Sequence, residues 1–360
     1  MRFIDLYSDA RTKPTRAMRQ FMLDAEVGDE QEGEDPTVNA LIAHVCDMLG
    51  KEDAVFLPSG TMCNEIALRV HCRPAEEIIC HESAHIIHFE SGGPAALSGA
   101  MIRPLSGPRG RFTADQLRAV VRCDERHGRY APISRLVVIE QTANLAGGAV
   151  WPIEQIDAVC DAAHALGLCV HMDGARLLNA CAASGCEPRR MVAGSDSVWL
   201  DFTKGLGAPV GAMLAGSKDF IRQAWRLKQQ WGGSMRQAGI IAAGGLYALR
   251  HHVERLPEDH ANAKALARGL SKIGGITVDP DLVETNIVFF ELPHGTVSAN
   301  EFVLRLRSRG VGLGAFGPFK LRAVTHFDIE EQEVRAALEE IGRAVAELLP
   351  SSKQGVAHDS

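Results

Sequence analysis

Residues 168–176, LCVHMDGAR, and residues 196–205, DSVWLDFTKG, decide the fold. Each holds a short apolar run of the kind that makes a strand buried on both faces. Each run ends on a charged residue beside a glycine: Asp173 before Gly174, and Lys204 before Gly205. The segment ahead of them, Pro152 to Leu166, carries Ile153, Ile156, Val159 and Ala163 on one helical face, and Gly167 stops it. A strand–helix–strand alternation of this kind implies a mostly parallel sheet flanked by helices. Ligands of such sheets bind at the carboxyl ends of the strands, so Asp173 and Lys204 are expected at one edge.

The same alternation extends outward on the N-terminal side. Pro36 to Gly50 is a helix, with Val38, Leu41, Ile42, Val45, Cys46 and Leu49 at helical spacing, proline in the first turn and glycine at the stop. Residues 54–58 read as a strand, Thr61 to His71 as a helix, and 76–80 as a strand. Thr113 to Glu125 is predicted helical, opened by the capping-box pair Thr113 and Gln116, and 135–140 is another buried strand. Beyond about residue 255 the pattern changes. Helices over about 258–273, 299–309 and 330–348, with strands at 275–278, 285–291 and 319–325, predict a smaller α+β domain. The expected organisation is an N-terminal segment and large α/β domain over 1–250, a small domain over 251–350, and a flexible polar tail over 351–360.

Composition narrows the function classes. The 360 residues carry 38 basic and 45 acidic side chains, a net charge of −7 with pI near 6.1. Without a basic stripe the chain is a poor binder of phosphate backbones, so no nucleic-acid partner is expected. No apolar run approaches the ~20 residues of a membrane span, and the first residues do not read as a signal peptide. Nine cysteines, an odd number without any C-x-x-C, fit reduced thiols in a cytoplasmic protein.

Four motifs bear on chemistry. Ser59-Gly60-Thr61 lies between a strand and a helix, where backbone N–H groups and hydroxyls could cradle a phosphate; a plain capped turn is the alternative. Asp173 could hold a heterocyclic nitrogen protonated, and Lys204 could form a Schiff base, although an Asp–Lys ion pair is the simpler reading of either residue alone. Phosphate turn, strand-end acid and strand-end lysine are together the three parts that pyridoxal phosphate requires. His81-Glu82-Ser83-Ala84-His85 fits the zinc-protease string H-E-x-x-H, but it follows a strand directly instead of lying within a helix, so no metal is expected. Gly312 to Gly317 fits G-x-G-x-x-G, yet Pro318 and a strand follow, which excludes the dinucleotide reading.

With these strings in view, the chain resembles the L-threonine aldolase family of fold-type-I, aspartate aminotransferase-like pyridoxal-phosphate enzymes. The matching stretches include LYSDARTKPTRAM (6–18), VGDEQEGEDPTVNAL (27–41), LPSGTMCNEIAL (57–68), AHIIHFESGG (84–93), HMDGAR (171–176), TKGLGAPVG (203–211), MRQAG (235–239) and LRAVTHFD (321–328). The resemblance implies a seven-stranded-type, mostly parallel sheet and a small C-terminal domain. It implies that Lys204 carries the cofactor, Asp173 pairs with its ring nitrogen, His85 stacks on the ring, and Ser59, Gly60 and Thr61 hold its phosphate. Ser8, Arg176 and Arg322 would clamp the substrate carboxylate, with Arg176 also close to the cofactor, and Arg236 would reach the phosphate across a subunit interface. A homodimer is the implied minimum and a homotetramer the expected state. A second, weaker hint of an interface is the pair of tryptophans between Trp225 and Met235, which ordinary packing explains as well.

The chain departs from the family where the substrate side chain would sit. Glu32 stands where a tyrosine is usual, Tyr130 aligns with a usual histidine, Ala143 replaces a histidine, and Gln229 replaces a basic residue. Glu32 and Tyr130 are therefore expected to meet substrate. The implied reaction is cleavage of a β-hydroxy-α-amino acid, threonine-like or bulkier, to glycine and an aldehyde, with His85 or a water taking the β-hydroxyl proton. The alternative is β-elimination to a keto acid and ammonia.

Overall fold

The computed structural model describes residues 3–122 and 129–348. The chain divides into two compact units. One comprises residues 12–258, and the other joins residues 1–11 to 259–360. The first eleven residues thus differ from the expected 1–250 grouping: Ile4–Asp5 is a parallel partner of Val311–Gly312. The expected tail, 351–360, lies outside the described residues.

The larger unit is built on a seven-stranded sheet. Across it run Asp53–Leu57, Ala212–Gly216, Ser197–Asp201, Cys169–Gly174, Ser134–Glu140, Glu77–His81 and Met101–Leu105. Ala212–Gly216 is antiparallel to both neighbours, so the other six strands all point one way. Their carboxyl ends therefore share one edge, where the segments after Leu57, His81, Glu140, Gly174 and Asp201 gather.

Strand alternation sorts the side chains between the two faces. Val170, Met172, Val198 and Leu200 enter the large core with Val38, Leu41, Val45, Ile156 and Val159. Their alternates, His171, Asp173, Ser197 and Trp199, lie on the opposite face, where the helix Gly60–His71 packs through Cys63, Ile66 and Ala67. Register sets Glu140 beside Asp173 and Asp173 beside Trp199, a row at the sheet's functional end.

The helix Pro36–Leu49 forms as its pattern predicts and stops at Gly50, which has φ 64°. Its cap does more than end a helix. Asp35 accepts from the N–H groups of Thr37 (3.1 Å) and Val38 (3.0 Å) through one oxygen, and from Gly28 (3.2 Å) and Gly239 (2.8 Å) through the other. One buried carboxylate thus ties two loops to a helix start, where it also meets the positive end of the helix dipole.

The helix opened by Thr113 and Gln116 has the capping box but ends at Val120, because Val121 is extended; residues 123–125 of the expected span lie outside the described residues. In the smaller unit, Gly314–Ala315, Lys320–Val324 and Ile287–Glu291 form an antiparallel sheet. The helices Ala299–Ser308 and Glu331–Ala346 bury Phe302, Leu306, Val334 and Ile341 in its core. The strand expected at 275–278 reduces to a single bridge, Thr277 to Glu291, since its turn-rich flanks allow no ladder. Gly312 and Gly314 fall on two-residue strands and Gly317 on a bend, and a strand follows, not a helix. Among the described residues, no helix is long and apolar enough to cross a membrane.

Candidate active site

Four segments meet at the sheet edge around one indole. Trp199 lies so close beneath the Ser59–Gly60–Thr61 turn that a Cβ on Gly60 would fall 2.1 Å from its ring. The Lys204 ammonium stands 5.4 Å from the ring centroid. The indole N–H donates to Asn64 Oδ1 at 2.7 Å, and Asn64 Nδ2 donates to Asp173 Oδ2 at 2.8 Å. The turn, the lysine and the acid read from the sequence thus come together on a single aromatic floor.

Asp173 is 1% exposed. Burial pushes its carboxyl up, while the charge of His85 and the Asn64 hydrogen bond pull it back. Its other oxygen accepts from the Ala175 N–H at 3.1 Å. His85 opens the short helix His85–His88 and gives its Nδ1–H to Glu90 at 2.8 Å. Burial alone would lower this imidazole, but the Glu90 hydrogen bond and the charges of Asp173, Glu90 and Glu140 raise it overall. With Nδ1 committed to Glu90, Nε2 is the nitrogen available to a substrate proton. The H-E-x-x-H string is split between the end of a strand, His81, and the start of this helix, so its two histidines do not share a helical face.

Lys204 pairs with Asp201, not with Asp173. Asp201 is held in place by the Thr203 N–H (2.7 Å) and hydroxyl (2.8 Å). The lysine chain remains 22% exposed, so its amine is within reach of a ligand. The turn at Ser59 is a helix start in which Ser59 Oγ accepts from Met62, and the remaining N–H groups of the first turn have no intrahelical partner. Arg176 follows Asp173 closely and is 6% exposed. The residue types fit pyridoxal phosphate: anion donors at the Ser59 turn, a buried acid in Asp173, and a reachable amine in Lys204.

Of the other expected site residues, three belong to the larger unit and two to the smaller. Tyr130 is 99% exposed and precedes the start of the Ser134–Glu140 strand, at the sheet edge opposite Asp173. Alignment placed it near substrate; the strand's direction places it away. Glu32 is exposed at the end of the short turn Glu30–Glu32, and Arg236 is exposed and paired with Asp29 at 2.7 Å. Neither reaches the Asp173 cluster within the chain. Ser8 and Arg322 belong to the smaller unit, where Arg322 stacks on Phe316 at 4.3 Å and donates to the Tyr7 carbonyl at 3.3 Å.

Gln229 is exposed, whereas its neighbour Lys228 is wholly buried and bonds both oxygens of Glu30, at 2.8 and 2.9 Å. Glu30 also accepts from the Met235 N–H, so this pair anchors the loop that carries Glu32. Lys228→Met is expected to cost about 3–5 kcal/mol by leaving a lone buried carboxylate, and Glu30→Gln in the same chain to restore most of it. Urea midpoints measure both, and a loss below about 1 kcal/mol in the single variant is the contrary result. Trp225 packs within the core cluster of Val55 and Ala224 and lies 4.2 Å from the Lys228 ammonium, which accounts for it without an interface.

Sequence reading missed Asn64, Glu90, Trp199, Asp201 and Glu65 as parts of this site. Asp201 had a visible signal, a carboxylate three residues before Lys204 at a strand end. Glu65 is buried beside Glu90, and burial first and that charge second push it up to about 9, which keeps it protonated at neutral pH. Glu140 accepts from the N–H groups of His85 and Asn144, both at 2.8 Å. Burial and then the Asp173 charge nevertheless raise it from 4.5 to about 7. A raised folded pKa means that the stability tied to the protonated form is complete below 4.5 and is lost as pH climbs through about 7. Glu140→Gln is therefore expected to gain stability relative to the parent between pH 5 and pH 8. Denaturant titrations at the two pH values test this, and parallel curves would refute it.

Known proteins resemble the chain over most of its length. A family model described as β-eliminating lyase matches residues 5–293. A low-specificity L-threonine aldolase of Escherichia coli strain K12 is 39% identical over 332 residues, covering 92% of this chain and 96% of the relative. The chain belongs to the threonine aldolase family. A second member, low-specificity L-threonine aldolase 1 of Arabidopsis thaliana, is 37% identical over 341 residues, 94% of this chain and 95% of that one. Among solved structures, a threonine aldolase of Leishmania major superposes with a TM-score of 0.80 at 20% identity, covering 95% of this chain and 99% of that one, which establishes the shared fold.

Proposed function

We propose that the chain is a pyridoxal-phosphate-dependent aldolase that splits a β-hydroxy-α-amino acid into glycine and an aldehyde. One observation carries the reading: Lys204, Asp173 and His85 converge with the Ser59 turn around Trp199 and Asn64, in a chain 39% identical to an L-threonine aldolase. When bound, the cofactor supplies an electron sink for the pair released from the broken Cα–Cβ bond. Lys204 holds it, the Ser59–Gly60–Thr61 turn receives its phosphate, and Asp173 keeps the ring nitrogen protonated. Arg176 grips the substrate carboxylate through its charged donors. His85 Nε2 takes the β-hydroxyl proton, and Glu90 balances the positive charge that this leaves on the ring.

Glu32 and Arg236 lie away from the cluster in one chain, so we assign them to the site of a second copy; a homodimer is the minimum and a tetramer the expected assembly. The eight described cysteines are all free, which suits a reducing cytoplasm.

Purified, cofactor-loaded protein is to be incubated with a panel of β-hydroxy amino acids and scored for glycine. Glycine and aldehyde from threonine, allo-threonine or a bulkier analogue is the expected result. Keto acid and ammonia from serine or β-chloroalanine, with no glycine from any substrate, would overturn the aldolase in favour of β-elimination.

A further inference from the structure

Asn64 is wholly buried at the centre of the site, on the helix Gly60–His71, and makes four hydrogen bonds. Its amide nitrogen donates to Asp173 Oδ2 at 2.8 Å and to Glu90 Oε1 at 2.7 Å. Its carbonyl oxygen accepts from Trp199 Nε1 at 2.7 Å and from His171 Nε2 at 3.2 Å. An indole nitrogen can only donate, so the Trp199 contact fixes which end of the amide is oxygen. That choice propagates. His171 Nε2 must carry its proton, its Nδ1 then accepts from Ser197 Oγ at 2.8 Å, and Ser197 in turn accepts from His71 Nε2 at 2.8 Å. Burial lowers His171 to about 3 and His71 to about 4, so both rings stay neutral and the order of protons holds at neutral pH. Turning the amide over would set its oxygen against two carboxylates and its NH2 against two donors.

We propose that Asn64 is the positioning residue of the site, one NH2 group clasping both the acid that faces the cofactor ring nitrogen, Asp173, and the acid that orients His85, Glu90. The proposal rests on the cofactor reading above. Asn64 touches neither cofactor nor substrate; it acts by aiming Asp173 Oδ2 and by holding Glu90 at the same spacing, so that the groups at the ring nitrogen and on the ring face are set as one unit. Trp199 serves it by locking the amide.

The test is a binding measurement on apo-protein, read by absorbance and fluorescence titration with two probes: pyridoxal phosphate, and its analogue with carbon in place of the ring nitrogen. The analogue cannot engage Asp173. The parent protein is expected to prefer the natural cofactor. Asn64→Ala is expected to weaken natural-cofactor binding about ten- to hundredfold, the range for one charge-assisted hydrogen bond, and to leave analogue binding nearly unchanged. Trp199→Phe removes the N–H that orients the amide, together with the outer ring edge that lies against Gly60; loss of that edge falls on both probes alike, so the variant is read by the preference between them. It is expected to shift the same preference in the same direction by a smaller factor, and it carries the test should Asn64→Ala fail to fold. Equal weakening of both probes in these variants, or no weakening, would overturn the proposal and reduce Asn64 to a packing role. Failure of the parent protein to bind either probe would instead remove the cofactor reading, and the proposal with it.

Discussion

Lys204→Ala is expected to abolish turnover and the visible absorbance of the lysine-bound cofactor together. The amine sits at the carboxyl end of Ser197–Asp201, paired with Asp201, 5.4 Å from the Trp199 ring centroid and still reachable from solvent. No nucleophile replaces it in the variant. The loss should exceed about 10⁴-fold in kcat, beyond the usual worth of a single proton-transfer group, because the covalent hold and the proton carrier vanish at once. Alanine also leaves Asp201 without its partner in a buried position, so part of any defect could come from the fold. Lys204→Arg separates the two effects. The guanidinium keeps the charge for Asp201 but cannot form the covalent link at neutral pH, since it does not lose its proton. Its thermal midpoint should match the parent while its spectrum lacks the Schiff-base band and borohydride fixes no cofactor to it. A Lys204→Arg protein that borohydride still labels with cofactor, or one that keeps more than about a hundredth of the parent kcat, would place the covalent link elsewhere.

The parts of the site that were legible share one property: each is a local irregularity in a regular pattern. Asp173 and Lys204 are charges that end apolar runs beside glycines, and strand direction does the rest. Ser59 was legible as a cap because a strand and a helix flank it. The parts that were not legible depend on distance in the chain. Asn64 is one polar residue in an amphipathic helix, and its meaning comes from Asp173, His171 and Trp199, which lie 109, 107 and 135 residues further on. Nothing near Asn64 reports those partners.

The fold shows the same division. Pro36–Leu49 was read with both ends correct because its caps are encoded locally. Ala212–Gly216 escaped notice because five small or apolar residues buried on both faces have no alternation, and their antiparallel direction is set by neighbours. The first eleven residues join the smaller unit through a two-residue strand, too short for any periodicity to reveal. Tyr130, exposed before the start of its strand, is a different case. Its assignment came from likeness to relatives, and an aligned position carries a role only if the backbone delivers it to the same edge of the sheet.

Asp173→Asn should separate catalysis from stability more sharply than any other change in this chain. The amide has the shape of the carboxylate, and its one oxygen can accept from Asn64 Nδ2 or from the Ala175 N–H but not both, a loss of about 1 kcal/mol that is set against the relief of burial. On the proposed reading, what it removes is the charge that would keep the ring nitrogen of the cofactor protonated. Losing a preorganised electrostatic group of this kind costs about 10²–10³-fold in kcat, with little change in KM because substrate contacts lie elsewhere. Stability should move the other way. Burial raises the Asp173 carboxyl above its value in the unfolded chain, so the stability tied to its neutral form is present below 3.8 and is lost as pH rises through the folded value. The parent apo-protein therefore carries that cost at neutral pH, and the variant does not. Apo Asp173→Asn should unfold at an equal or higher denaturant concentration than apo parent at pH 8, with the gap closing as pH falls. A variant that is both slow and unstable would mean that Asp173 serves the fold first. One that retains kcat within about tenfold would mean that the ring nitrogen does not depend on it. The expected pairing, a slower and no less stable protein, is the mark of a site that holds a charge for chemistry at the expense of its own fold.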